Sequence, residues 1–163
     1  MTDDIHINSK EHNPYADTPE ALILATRERV ESILKNKFPE YLNFEGGSYT
    51  IAKGSTQVSI VVRPYTHDDT SIECTANVVY GAKITEDLMK FLLRKNAELH
   101  FGAFGLLFDG TISFSHSISG ANLDENELEN TLNSVATIAD YYDDIIISVN
   151  GGKRATDFLG EFE

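Results

Sequence analysis

The chain contains no tryptophan and one cysteine, Cys74, in 163 residues. No internal disulfide can form, so packing and hydrogen bonds must hold the fold, and a Trp-centred interface hot spot is excluded. Basic residues are also scarce: Lys and Arg total 13 against 26 Asp and Glu, a formal net charge of −13. A nucleic-acid groove needs clustered Lys and Arg to displace counterions from phosphates. Here they come in ones and twos, so nucleic acid and anionic membrane surfaces are poor partners. The acidity serves solubility, with steering toward a basic partner as the other reading. Long apolar runs are missing as well. The longest comparable stretch, Ile145 to Val149, falls far short of the roughly 18–20 residues that span a bilayer. Met1 to Lys10 is polar and lacks the apolar centre of a secretory signal. With a lone cysteine, the expectation is a cytoplasmic protein in a reducing compartment.

What is present is the composition of one globular domain long enough to bury a core. Residues 1–17 hold few apolar side chains and read as a flexible N-terminal tail, residues 18–152 as a single domain, and residues 153–163 as a C-terminal tail. The first helix should start with Thr18 as N-cap and Pro19 at the first helical position. Leu22, Ile23, Thr26, Val30, Ile33, Leu34 and Phe38 then recur at spacings of three and four, one apolar face, until Pro39. Tyr49 and Ile51, then Val58, Ile60 and Val62, then Ile72, Cys74, Ala76, Val78 and Tyr80 alternate with polar residues. Three strands of an antiparallel meander follow from that period of two.

A second helix starts at an N-cap, Thr85, and puts Leu88, Leu92 and Leu99 on one side with Met89 and Leu93 adjacent. Asp109-Gly110 between Phe101–Phe108 and Thr111–Ile118 predicts a hairpin with a two-residue type I′ turn, both turn residues having positive φ. That turn sets Leu107 opposite Ile112, Gly105 opposite Phe114, Ala103 opposite His116 and Phe101 opposite Ile118. It places Phe104, Leu106 and Phe108 together on the second face. The last helix opens with Asp124 and Glu127, a capping box. Leu128, Leu132, Val135, Ala139, Tyr142, Ile146 and Val149 continue at alternating spacings of four and three. This register carries the helix to Asn150-Gly151-Gly152 through a stretch that propensity alone reads as strand; a short terminal strand is the alternative. The fold class is therefore α+β, an antiparallel sheet with helices in the order αβββαββα.

Catalytic signatures are thin. Cys74 lies on the inward, alternating face of its strand and reads as a core thiol. His67-Asp68-Asp69 lacks the second ligand pair a metal site normally shows, and His6 and His12 lie in the N-terminal tail. The hairpin register turns His116 to the apolar face beside Phe114 and Ile118. With Asp140 or Asp143 it could form an acid–base pair, but no nucleophile is supplied locally. Asp140, Asp143 and Asp144 read as the solvated side of the last helix. Gly102-Ala-Phe-Gly105 lies inside a strand and Gly151-Gly152 closes a helix, so neither is a phosphate loop. No catalytic residue, metal or cofactor is indicated.

Several segments are distinctive together: Asn96-Ala-Glu-Leu-His-Phe-Gly-Ala-Phe104, the Asp109-Gly110 turn, Ile112-Ser-Phe-Ser-His116, Ala139-Asp-Tyr-Tyr-Asp-Asp144 and Gly151-Gly-Lys-Arg-Ala-Thr-Asp-Phe158. On these and on its element order, the chain resembles the YbjN family within the type III secretion chaperone-like superfamily. The resemblance is close over the C-terminal two fifths and by pattern elsewhere. It implies a homodimer that binds an extended, unfolded segment of a protein partner on sheet and helix surface. Phe104, Leu106 and Phe108 offer an apolar row for such a surface, unless a helix or a second subunit covers them, and an edge strand could accept a peptide by strand addition. The expected function is a non-enzymatic peptide- or protein-binding module without cofactors. The alternative is a small hydrolase or metal-dependent regulator using His116 with Asp140 or Asp143.

Overall fold

A computed structural model describes residues 17–159 of the chain; the expectations for residues 1–16, His6 and His12 among them, and for residues 160–163 lie outside the described residues. The chain runs α1 (Glu20–Lys37), β1 (Leu42–Phe44), β2 (Ser48–Lys53), β3 (Thr56–Pro64), β4 (Thr70–Tyr80), α2 (Glu86–Glu98), β5 (Ala103–Leu106), β6 (Ile112–Ser119), α3 (Glu125–Asn150), β7 (Lys153–Arg154) and α4 (Ala155–Leu159). The strands form one antiparallel sheet in the order β1-β2-β3-β4-β6-β5, with β7 also paired to β4. The α+β class and its antiparallel sheet are as expected. The three expected meander strands are β2, β3 and β4. β1 is an addition: all three of its residues are exposed, and Leu42-Asn43-Phe44 is too short a run to establish a period of two.

α1 and α3 lie across one face of the sheet. From α1, Val30 and Leu34 are fully buried, each contributing about 1.5–3 kcal/mol relative to an exposed side chain. α3 buries Leu128, Leu132, Val135, Ala139 and Ile146 on the predicted seam, and the helix continues to Asn150. Its Asp124 side chain accepts the Glu127 N–H at 2.7 Å. The sheet answers with Val58, Ile60, Ile72, Cys74, Ala76 and Phe114, all buried. Thr18 departs from its expected role. Pro19 occupies the cap position without a side-chain cap, while the Thr18 hydroxyl donates to the Thr66 carbonyl at 2.6 Å and accepts from Tyr65 N–H at 3.0 Å. The hydroxyl thus ties the entry of α1 to the β3–β4 connection.

The hairpin register differs from the expected one. Leu107 N–H donates to Thr111 O and Gly110 N–H donates to Leu107 O, both at 2.9 Å. Within the loop only Gly110 takes positive φ, +84°, and Asp109 does not. This is a three-residue loop, a type I turn followed by a left-handed glycine, in place of the two-residue type I′ turn. The pairs become Ala103–Ser115, Phe104–Phe114, Gly105–Ser113 and Leu106–Ile112. Each residue of β5 therefore shifts to the other face, and Phe104 joins Phe114 on the helix-covered side.

The segment after the last helix, expected to be a tail, is built into the fold as far as Leu159. Gly152 has φ +96°, and a Cβ there would lie 2.6 Å from the Tyr80 carbonyl oxygen and 2.7 Å from Val79. Only glycine lets the chain pass so close, and β7 then pairs Arg154 with Val79 and Lys153 with Tyr80. α4 follows against β4 and β3.

Candidate binding site

The second helix carries more apolar surface than its core contact needs. Its N-cap Thr85 accepts the Leu88 N–H at 3.2 Å, and Leu88 is buried beneath it. Leu92 is half-buried, yet Met89 is 44% and Leu93 69% exposed. These side chains wall one side of a cavity of about 210 Å³ whose other side is β5 and β6. Phe104 and Ile112 form its floor and Leu106 its rim. The lining is apolar except for Asn96 and the Gly105 backbone. No helix of the described residues is long and apolar enough to cross a membrane.

The predicted row of Phe104, Leu106 and Phe108 is split by the shifted register. Phe104 is buried, 8% exposed, with its ring edge-on to Phe114 at 5.0 Å and to Tyr142 at 5.2 Å. Leu106 is 53% exposed at the groove, and Phe108 stands fully exposed at the hairpin tip. Phe101 and Leu107, also exposed, widen the apolar surface around β5. Sequence reasoning did not assign Met89, Leu93 or Asn96 to a site. The available signal was Met89 and Leu93, an i, i+4 apolar pair beside the buried stripe rather than within it.

β5 is the last strand on its side of the sheet. Phe104 N–H donates to Asn96 Oδ1 at 2.6 Å, and Asn96 Nδ2 donates to Phe104 O at 3.1 Å. A side-chain amide from α2 thus occupies the place where a neighbouring strand would bond.

The open face of the sheet has the opposite character. Thr50, Ser59, Thr75 and Ser115 stand side by side across four strands. A concavity there of about 480 Å³ also holds Gln57, Asn77 and the Arg63–Glu73 ion pair, 3.0 Å apart. Polar, solvated side chains of this kind give little driving force for an apolar ligand.

The residues weighed for catalysis are dispersed. His116 sits on the same face as Phe114, opposite Cys74, half-buried and edge-on to the Phe101 ring at 5.8 Å. Asp140 accepts from the Ser55 hydroxyl at 2.6 Å. Asp143 is not on the solvated side as expected: it is buried and lies 3.3 Å from Arg154 Nε, with Asp144 on the same guanidinium. Burial pushes the Asp143 carboxyl above its usual range despite that cation. Arg154 pairs with Val79 and His116 with Cys74, five residues apart or roughly 16 Å of strand. The structure therefore does not unite His116 with either carboxylate. Cys74 is fully buried, and burial, with Glu73 nearby, pushes its thiol up to about 12. Asp69 serves the loop: it accepts from Ser119, Ala121 N–H and Thr70 N–H. No cluster of three metal-ligating side chains occurs among the described residues.

Comparison with known proteins supplies the family context. A family model described as T3SS (YopN, CesT) and YbjN peptide-binding chaperone 1, TY-Chap1, matches residues 25–157. Among solved structures, the ExsC–ExsE complex contains a chain that is 18% identical, with a TM-score of 0.57, covering 77% of this chain and 95% of that one. The HopA1–SchA chaperone–effector complex contains one that is 8% identical at the same TM-score, 0.57, covering 74% and 97%. At these identities the likeness is one of fold. No curated protein matches the chain.

Proposed function

We propose that this chain, which belongs to the T3SS and YbjN peptide-binding chaperone family, is a non-enzymatic cytoplasmic module that works as a homodimer and binds an extended segment of a partner protein in the groove between α2 and β5. The observation that carries this reading is an apolar groove bordered by a sheet edge. An extended peptide has both things such a place recognises: alternate side chains for the groove and backbone groups for the edge. In this assignment Leu106 is the rim, Phe104 the buried floor, and Phe108 an outer contact at the hairpin tip. The separation of His116 from Asp140 and Asp143 gives the hydrolase or metal-regulator reading no comparable support.

The test uses a fluorescein-labelled peptide of alternating leucine and threonine with a lysine at each end, titrated by anisotropy, beside light-scattering mass. Wild type should bind with a mass of two chains. Leu93→Asp and Leu106→Asp should weaken binding at least about tenfold with mass and fold retained, since a buried charge has no partner in an apolar groove. If instead the variants fall to one chain and still bind, the groove is the seam between subunits and not the peptide site. No binding by wild type refutes the peptide reading.

A further inference from the structure

The outer edge of β5 is already bonded to something that is chemically a peptide group. Phe104 donates to Asn96 Oδ1 at 2.6 Å and accepts from Asn96 Nδ2 at 3.1 Å. A primary carboxamide offers one acceptor and one donor side by side, the pair a strand residue presents across an antiparallel ladder. Because successive residues of a strand alternate in direction, Leu106 points its N–H and C=O the same way as Phe104. Leu107 N–H, by contrast, turns inward to Thr111. Among the described residues nothing bonds the outward groups of Leu106. The edge is therefore half occupied: a surrogate at Phe104, and an open position at Leu106 beside the groove.

We infer that Asn96 is a displaceable stand-in for a bound strand, so that the partner segment adds to β5 by backbone pairing and must turn the Asn96 side chain out to do so. The inference rests on the peptide-binding reading above and specifies how the site is engaged and guarded. An incoming strand replaces the two bonds of Asn96 with two of its own and adds those to Leu106. Its alternate side chains enter the cavity walled by Leu92 and Leu93. In the free protein the same amide shields an edge with exposed apolar neighbours, Phe101, Leu106 and Leu107, a combination that otherwise invites uncontrolled pairing between chains. Short apolar contacts that miss the backbone cannot displace it, so Asn96 selects extended segments over isolated apolar groups.

The experiment compares the Leu/Thr peptide with the same peptide N-methylated at every internal amide, which keeps the side chains and removes the donors. Wild type should bind the unmethylated form at least about fivefold more tightly, one hydrogen bond's worth or more. Asn96→Ala, which no longer competes for Phe104, should bind it about five- to tenfold more tightly than wild type and keep the preference. Asn96→Asp can accept from Phe104 N–H but cannot donate to its carbonyl, and should fall between. Hydrogen exchange at the Phe104 amide supplies a readout independent of affinity: slow in free wild type, fast in free Asn96→Ala, slow in both complexes. Equal binding of the two peptides, or no gain on Asn96→Ala, overturns the strand-surrogate role while leaving peptide binding standing. Absence of binding by every variant overturns the peptide reading and this role together.

Discussion

Phe104 and Phe108 are four residues apart on one hairpin, and replacing each by alanine separates a core position from a surface one. Removing a buried phenylalanine side chain costs about 3–5 kcal/mol through lost transfer energy and the cavity left behind. Phe104 is 8% exposed and packs edge-on against Phe114 and Tyr142, at 5.0 and 5.2 Å. Its site opens onto the α2–β5 groove, so the vacated space would fill with water rather than persist as a closed void. The expected loss is therefore at the lower end, about 3 kcal/mol. For a domain of this size that corresponds to about 6–12 °C in melting temperature. Phe108 is fully exposed, and Phe108→Ala should change stability by less than about 0.5 kcal/mol. With no tryptophan to report, urea unfolding is followed by far-UV circular dichroism, at two protein concentrations so that any contribution from association is separated. A Phe104→Ala loss under about 1 kcal/mol, or a larger loss at Phe108 when dilute, would refute the shifted register and return Phe104 to the surface.

Two further outcomes follow from buried polar chemistry. Burial, with a smaller push from Glu73, holds the Cys74 thiol at about 12, so at about pH 8 almost none is thiolate. A disulfide reagent should label it only as fast as the protein unfolds, and rapid labelling of the native protein would contradict the buried placement. For Asp69, burial alone would raise the carboxyl, but the bonds from Ser119, Ala121, Thr70 and Gly120 outweigh it and hold the group below its ordinary value. Its stabilisation is thus present above the unfolded carboxylate value of about 3.9 and is lost as pH falls through the lower folded value. Asp69→Asn should be less stable near neutrality and lose less stability on acidification; urea midpoints measured between about pH 7 and pH 3 that run parallel to wild type would count against this anchoring.

Much of the fold was legible because one physical pattern dominated each segment. The 4-3 spacing from Leu128 to Ile146 outvoted the β-propensity of Ile145–Val149, and α3 runs to Asn150. Alternation placed Ile60, Ile72 and Cys74 on the buried face. Thr85 and Asp124 marked their helices through side-chain bonds that form locally. What escaped lacks a local pattern. β1 is exposed throughout and owes its pairing to β2. β7 exists because two glycines let Arg154 turn back to β4, a partner far away in the chain, and to Asp143 on the preceding helix. Asp143 lies on the seam side of α3, four residues after Ala139 and three before Ile146, and the Arg154 cation supplies the partner a buried carboxylate needs there. Asn96 reads as an ordinary polar residue near a helix end; its role appears only when β5 is set beside it.

The hairpin shows how a small local ambiguity governs the functional reading. Asp-Gly suits a two-residue type I′ turn, and it equally suits the last two positions of a three-residue loop in which glycine alone is left-handed. The two options differ by one residue in register, and a one-residue slip exchanges the faces of a strand. Tertiary packing decides between them. In the observed register Phe104 stacks against Phe114 beneath Tyr142, while Gly105 and Ser113 share the opposite face. The other register would carry the Phe104 ring out to solvent and bring glycine to the core. The energy of burying one phenylalanine thus fixes the strand. It also decides that Phe104 is a floor rather than a contact, that Phe104 and Leu106 present their backbone outward, and that Asn96 has an edge to guard.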